Sequence, residues 1–172
     1  SAMAFTGTSG NTLITLGGKV LGNVTFDGVG GTWTFQDAFA ANGTTSTTLT
    51  LTNGTVNANN QTVGSGRFSS TNANVRTLTM GSGTWSIIGT GTGAWTFATS
   101  TNLTFNANTS TIKFTATDNN ALTLDGGGQT FNNVWFSRGA STATNSIVGS
   151  NTFNDFKDDG TAAHSIQFKA GT

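Results

Sequence analysis

The sequence predicts an all-β chain coiled as a single-stranded parallel β-solenoid. Three observations predict it: a composition of strand and turn formers, short alternating segments, and internal repeats. Of 172 residues, 36 are Thr, 24 Gly, 19 Asn and 15 Ser, over half the chain. Thr, Val, Ile, Phe and Trp favour strands, and Gly and Asn favour turns. Helix formers are scarce, with no Glu. A disordered chain would lack aromatics and carry net charge or Pro. This chain has 13 Phe, 4 Trp, no Pro and no net charge, so it can bury a core.

The strand series opens at Leu13-Ile14-Thr15-Leu16 and continues with Thr32-Trp33-Thr34-Phe35 and Thr48-Leu49-Thr50-Leu51-Thr52. Thr77–Met80, Thr84–Ile87, Ala94–Phe97, Leu103–Phe105, Ile112–Phe114, Leu122–Leu124 and Ile166–Phe168 follow. Each sets large apolar residues two apart around a small polar one, the signature of a strand with one buried face. The stretches Asp37–Ser46 and Gly64–Asn74 read as irregular loops.

Repeats point to coiling rather than to a sandwich. Gly-x-Trp-[Thr/Ser]-[Phe/Ile] occurs at Gly31, Gly83 and Gly93. A longer unit occurs at Val20–Phe26, Thr130–Phe136 and Thr152–Lys157, its last two copies 22 residues apart. That spacing suits one coil of about three short strands. In each copy two inward positions are three residues apart, so a corner lies between them. Asn23, Asn133 and Asp155 occupy it, and short polar side chains tolerate left-handed backbone there. Stacked, such residues would form a hydrogen-bonded ladder. An antiparallel β-sandwich is the alternative; it would share the alternation but not the strand–corner–strand repeat.

Zero Cys excludes disulfides and thiolate metal sites. Seven scattered basic residues do not suit nucleic acid, and no apolar run reaches membrane length. Ser1-Ala2-Met3 reads as the scar of a cleaved tag, and residues 4–172 as one solenoid domain, a fragment of a longer protein. Ser165–Thr172 ends on a strand without a polar cap, which suggests self-association through the solenoid ends.

Chemistry is sparse. Asp27, Asp118 and Asp125 each follow a strand beside Gly or Asn, as turn formers do. Asp155, Asp158 and Asp159 form the one acidic cluster and the one candidate for a metal, Ca²⁺. Lys157 inside the cluster and the lack of an acidic repeat favour an Asp-Gly turn instead. His164 is the only histidine, with no partner spacing for zinc or nucleophilic catalysis. Gly-x-Gly matches precede no helix, so a phosphate loop is excluded. The six Asn-x-Ser/Thr sequons are about what this composition gives by chance.

Trp33, Trp85 and Trp95 are in phase with the core, whereas Trp135 aligns with Thr25 and Lys157 and should face out. An outward indole can stack on a sugar, and Asn132, Arg138 and Asp125 would supply polar contacts. Thr34, Thr50, Thr79, Thr96, Thr104 and Thr123 also face out; a flat Thr array would suit ice, but the irregular loops argue against one regular face.

The units Gly128–Val134, Ser150–Phe156 and Ser165–Thr172 resemble coils of right-handed β-helix proteins, found in bacterial surface adhesins, autotransporter passengers and phage tail fibres. That resemblance implies a protein of the cell or virion surface, often glycan-binding, and carries no site motif over. The expected function is a non-catalytic binding or structural module without cofactors. The alternatives are a polysaccharide-degrading enzyme using Asp125 or Asp155, and an ice-binding solenoid.

Overall fold

A computed structural model describes residues 2–170. Ser1 and residues 171–172, parts of the tag remnant and of the closing repeat, lie outside the described residues. Among the described residues there are seventeen strands and no helix. Every pair of neighbouring strands is parallel, which sets aside the antiparallel sandwich.

The strands stack into three faces. Face 1 holds β1 (Met3–Phe5), the first part of β3 (Val24–Phe35), the first part of β5 (Thr48–Asn57), β7 (Arg67–Ser69), β10 (Gly91–Thr96), β13 (Leu122–Asp125), β15 (Thr144–Val148) and β17 (Ser165–Lys169). Face 2 holds β2 (Asn11–Ile14), the later parts of β3 and β5, β8 (Arg76–Thr79) and β11 (Leu103–Asn106). Face 3 holds β4 (Phe39–Ala41), β6 (Val63–Ser65), β9 (Thr84–Ile87), β12 (Thr111–Phe114), β14 (Thr130–Phe136) and β16 (Thr152–Asp158). The chain thus makes a parallel β-solenoid of about eight turns, counted on face 1. Met3 and Ala4 pair with Val24 and Thr25, so part of the expected tag remnant lies in the first rung.

Parallel register places like beside like. Val24, Leu49, Phe68, Trp95, Leu124 and Ile147 form one inward column of face 1. Trp33, Val56, Leu78 and Phe105 form that of face 2. The three Gly-x-Trp motifs look identical in sequence yet lie on three different faces: Trp33 on face 2, Trp85 on face 3 and Trp95 on face 1. All three indoles are buried, and Trp95 stacks on Phe68 with centroids 4.4 Å apart. Residues 37–46 and 64–74, expected as loops, instead carry β4, β6 and β7. Their strands are three residues long, too short for alternation to show.

Corners use asparagine, but not the residues the repeat suggested. The left-handed asparagines are Asn59, Asn60, Asn102 and Asn108. Each also bonds the main chain of an adjacent rung: Asn59 Nδ2 donates to Phe35 O (3.1 Å), Asn102 Nδ2 to Ala73 O (2.9 Å), and Asn60 and Asn108 Oδ1 accept from Ser82 and Gly81 N–H. Asn133 and Asp155 sit inside β14 and β16, paired in register, and Asn23 accepts the Thr48 N–H through Oδ1. They build no common ladder, because the first copy of the repeat leads into face 1 and the other two into face 3. At the face 1–face 2 corner Gly54 has φ +77°, and a Cβ there would meet the Gly28 carbonyl oxygen at 2.5 Å, so only glycine fits.

The coil changes at β13. Up to β12 the chain visits faces 1, 2 and 3 in turn. Beyond β13, Gly126-Gly127-Gly128 leads straight from face 1 to β14 on face 3, and Gly149-Ser150-Asn151 does the same from β15 to β16. The 22-residue spacing is one coil, pairing Phe131 with Phe153 and Val134 with Phe156. It contains two longer strands rather than the three short ones expected.

Candidate functional site

Trp135 faces out of face 3, as its alignment required, but its ring is not free. Register sets Lys113 below it and Lys157 above it. The two ammonium groups sit 3.7 and 4.0 Å from the ring centroid. Each is placed for a cation–π contact. A sugar stacking on either ring face would first have to displace a lysine. The indole Nε1 is buried without a hydrogen-bond partner.

The residues grouped with Trp135 are scattered. Asp125 lies on face 1, where its Oδ1 accepts the Gly127 N–H in a turn. Asn132 donates to the Ser110 carbonyl. Arg138 is 2 % exposed and works as an internal staple rather than a ligand contact. Its Nε donates to Ala116 O, one terminal nitrogen to Asn145 Oδ1, and the other to the Asp118 and Asn120 carbonyls and Asp118 Oδ1. Arg76, which the sequence reading passed over, plays the same part at another corner. Its five bonds go to Ser70 Oγ and to the carbonyls of Ser70, Asn74, Thr99 and Thr101. Burial pushes both guanidinium pKa values down, and Asp118 opposes that shift at Arg138. An Arg in phase with inward apolar residues, as Arg76 is with Leu78 and Met80, is the signal that could have found it.

The acidic cluster is split among partners. Asp158 Oδ2 lies 2.8 Å from His164 Nε2, Asp159 pairs with Lys157 at 4.0 Å, and Asp155 stands in an outward column beside Asn133. Among the described residues no group of three or more potential ligands could hold a metal ion. His164 Nδ1 faces the Ala162 carbonyl at 2.7 Å; that bond and Asp158 raise its pKa above the ordinary 6.5. Asp125 and Asp155, the two candidates for the enzyme alternative, occupy faces 1 and 3. Asp118 and Asp125 do form turns, whereas Asp27 accepts from Asn53 Nδ2 across two rungs of face 1.

The most regular surface is face 2. Its first outward column runs Asn11, Thr32, Thr55, Thr77, Thr104, and its second Leu13, Thr34, Asn57, Thr79, Asn106. Nine of these ten positions carry a hydroxyl or amide, and none is charged. Rungs repeat about every 4.8 Å and the two columns are about 6.6 Å apart by strand geometry. Side chains are tied across rungs: Thr34 Oγ1 donates to Asn11 Oδ1 at 2.9 Å, and Asn106 Nδ2 to Thr79 Oγ1 at 3.2 Å. The six outward threonines of the sequence reading divide between faces: Thr34, Thr79 and Thr104 on face 2, Thr50, Thr96 and Thr123 on face 1. Face 2 could not be assembled from sequence because the rung offset varies along it.

No family model, no curated protein and no solved structure matches the chain.

Proposed function

We propose that the protein is a non-catalytic binding module of a surface adhesin or fibre, which presents face 2 to an uncharged, hydroxyl-rich polymer such as a neutral glycan. The observation that carries the reading is the two-column array of Thr and Asn. A rigid β face holds these side chains at fixed spacing, so little side-chain entropy is lost on binding. Fixed donors and acceptors without charge suit neutral sugars.

A glycan array tests the reading. Binding should survive Trp135→Ala and be lost in the double variant Thr55→Lys/Thr77→Lys, whose outward side chains leave the core untouched. Failure of the wild type on every neutral glycan would leave a scaffold role alone. The same regular spacing favours one further ligand, the surface of ice. Thermal hysteresis measures it, and its absence removes that reading.

A further inference from the structure

Face 2 stops in mid-chain. Its last strand, β11, pairs with β8 below, and no described strand pairs with it from above. The chain then continues through β12 to β17 on faces 1 and 3. The open edge of β11 is therefore fixed by the fold itself, whatever precedes or follows these residues. Parallel pairing sends alternate main-chain groups to opposite sides. The Asn102 and Asn106 carbonyls accept from the Arg76 and Met80 N–H groups below. The N–H and C=O of Phe105 and the C=O of Leu103 consequently point up, where no strand receives them. The Leu103 N–H is already used by Ser100 O in the preceding turn.

Protein edges are usually blunted by Lys, Pro or a bulge. Leu103-Thr104-Phe105-Asn106 has none of these. Instead Leu103 and Phe105 remain partly exposed. Beside the edge lies an open depression of about 300 Å³, between Phe105 and Asn108 on one side and Thr130, Asn132 and Asn154 on the other. Phe131 forms its inner wall, with its ring 5.1 Å from that of Phe105.

We propose that the β11 edge is a strand-addition site, which takes an extended, uncharged peptide segment of a partner protein as a sixth, parallel rung of face 2. Its occupant is set by what the edge offers. Unpaired N–H and C=O groups in register call for a main chain rather than a sugar or lipid. The ends of the two outward columns, Thr104 and Asn106, favour small polar side chains on the outside. Phe131 already fills the core above Phe105, so the inward residue of the added strand must be modest in size and seat in the depression.

A synthetic peptide copying residues 54–60, an uncharged rung of face 2 with Val56 as its inward residue, is the probe, followed by amide hydrogen exchange on the intact protein. In the free protein the Phe105 amide should exchange far faster than those of Thr104 and Asn106, which bond downward. Saturating peptide should slow Phe105 exchange at least roughly tenfold. The same peptide N-methylated on the amides that face β11 should lose the effect, and one methylated on the opposite amides should keep it. Three outcomes would overturn the proposal: a Phe105 amide already protected without peptide, no protection at millimolar peptide, or equal binding by both methylated forms. None of them bears on glycan binding by the side chains of face 2, so the two ideas fail separately.

Discussion

The three-faced coils up to β12 and the two-faced coils from β13 onward solve the same problem with different cores. Three faces enclose a wide interior, and there Trp33, Trp85 and Trp95 are buried with Phe26, Phe35 and Phe68. Two faces enclose a narrow one. Phe131, Val134, Phe136 and Ile147 are buried there, but Phe153, Phe156 and Ile166 are only partly so, and Phe168 is 68 % exposed. The stack of Phe131 on Phe153, with centroids 5.7 Å apart, stands where larger cross-coil clusters stood before. Buried Trp occurs only in the three-faced part, yet the two-faced part buries Phe131 and Phe136 just as fully; Phe153, Phe156, Ile166 and Phe168 are less covered because they lie in the outermost described rungs.

Core truncation should separate the two halves most. Trp95→Ala removes a fully buried ring and should cost about 3–5 kcal/mol. Phe153→Ala, at a partly buried site, should cost about 1–2 kcal/mol. Urea unfolding followed by region-resolved hydrogen exchange would read both; equal losses would mean that the narrow coil is as tightly packed as the wide one. Repeat stacks need not unfold in one step, so the regional readout matters.

The two buried arginines come next. Arg76→Met strands four carbonyls in the wide half and should cost about 3 kcal/mol, since each unmet buried partner costs about 1–3 kcal/mol and some can recruit water. Arg138→Met in the narrow half should cost less, about 2 kcal/mol, because its partner Asp118 is 41 % exposed and can be rehydrated. Lysine should rescue neither, having one nitrogen where the site needs a planar fork. Thermal denaturation of the four variants checks the order.

Across the range in which histidine titrates, pH should act on the narrow half alone. His164 is the only histidine, and its folded pKa lies above 6.5. Folding thus favours its protonated form. The stabilisation is fully present below the unfolded value and is lost as pH rises through the folded one. Exchange protection in β16 and β17 should therefore fall as pH rises from near 6, with Trp33-containing rungs unaffected. His164→Gln should flatten that profile; an unchanged profile would mean that the Asp158 contact contributes nothing.

The smallest effect is expected at Trp135. Lys113→Ala or Lys157→Ala should each cost about 0.5–1 kcal/mol, the range of an exposed cation–π contact. Of the four tryptophans only Trp135 is not buried, so iodide should quench its fluorescence selectively. Removing either flanking lysine should weaken quenching by that anion while leaving acrylamide quenching equal or greater.

Much of this was legible in the chain. Alternation located most strands of four or more residues, and Trp33, Trp85 and Trp95 were in phase with the core they enter. The site was harder to read. Arg138 is polar and lies near Trp135 in sequence, yet it is buried because the loop between β12 and β13 brings the carbonyls of Ala116, Asp118 and Asn120 to it from as many as 22 residues away. Of the Lys–Trp–Lys sandwich, the Lys157 side was legible in the 22-residue repeat that aligns it with Trp135, whereas the Lys113 side was not, because β12 carries no copy of that repeat.

The sequence by itself determined the all-β class, the parallel coil and the identity of the large core residues. These follow from local periodicity and composition, which any parallel stack must satisfy rung by rung. Tertiary structure alone decided which face each strand joins, where face 2 ends, and which polar residues are staples rather than contacts. The rung offset ranges from 19 residues (Leu49 to Phe68) to 31 (Gly91 to Leu122), so no fixed period maps residue number onto a face. Face membership is set by how many corners the chain turns before the next strand can pair, and that is a property of the whole coil.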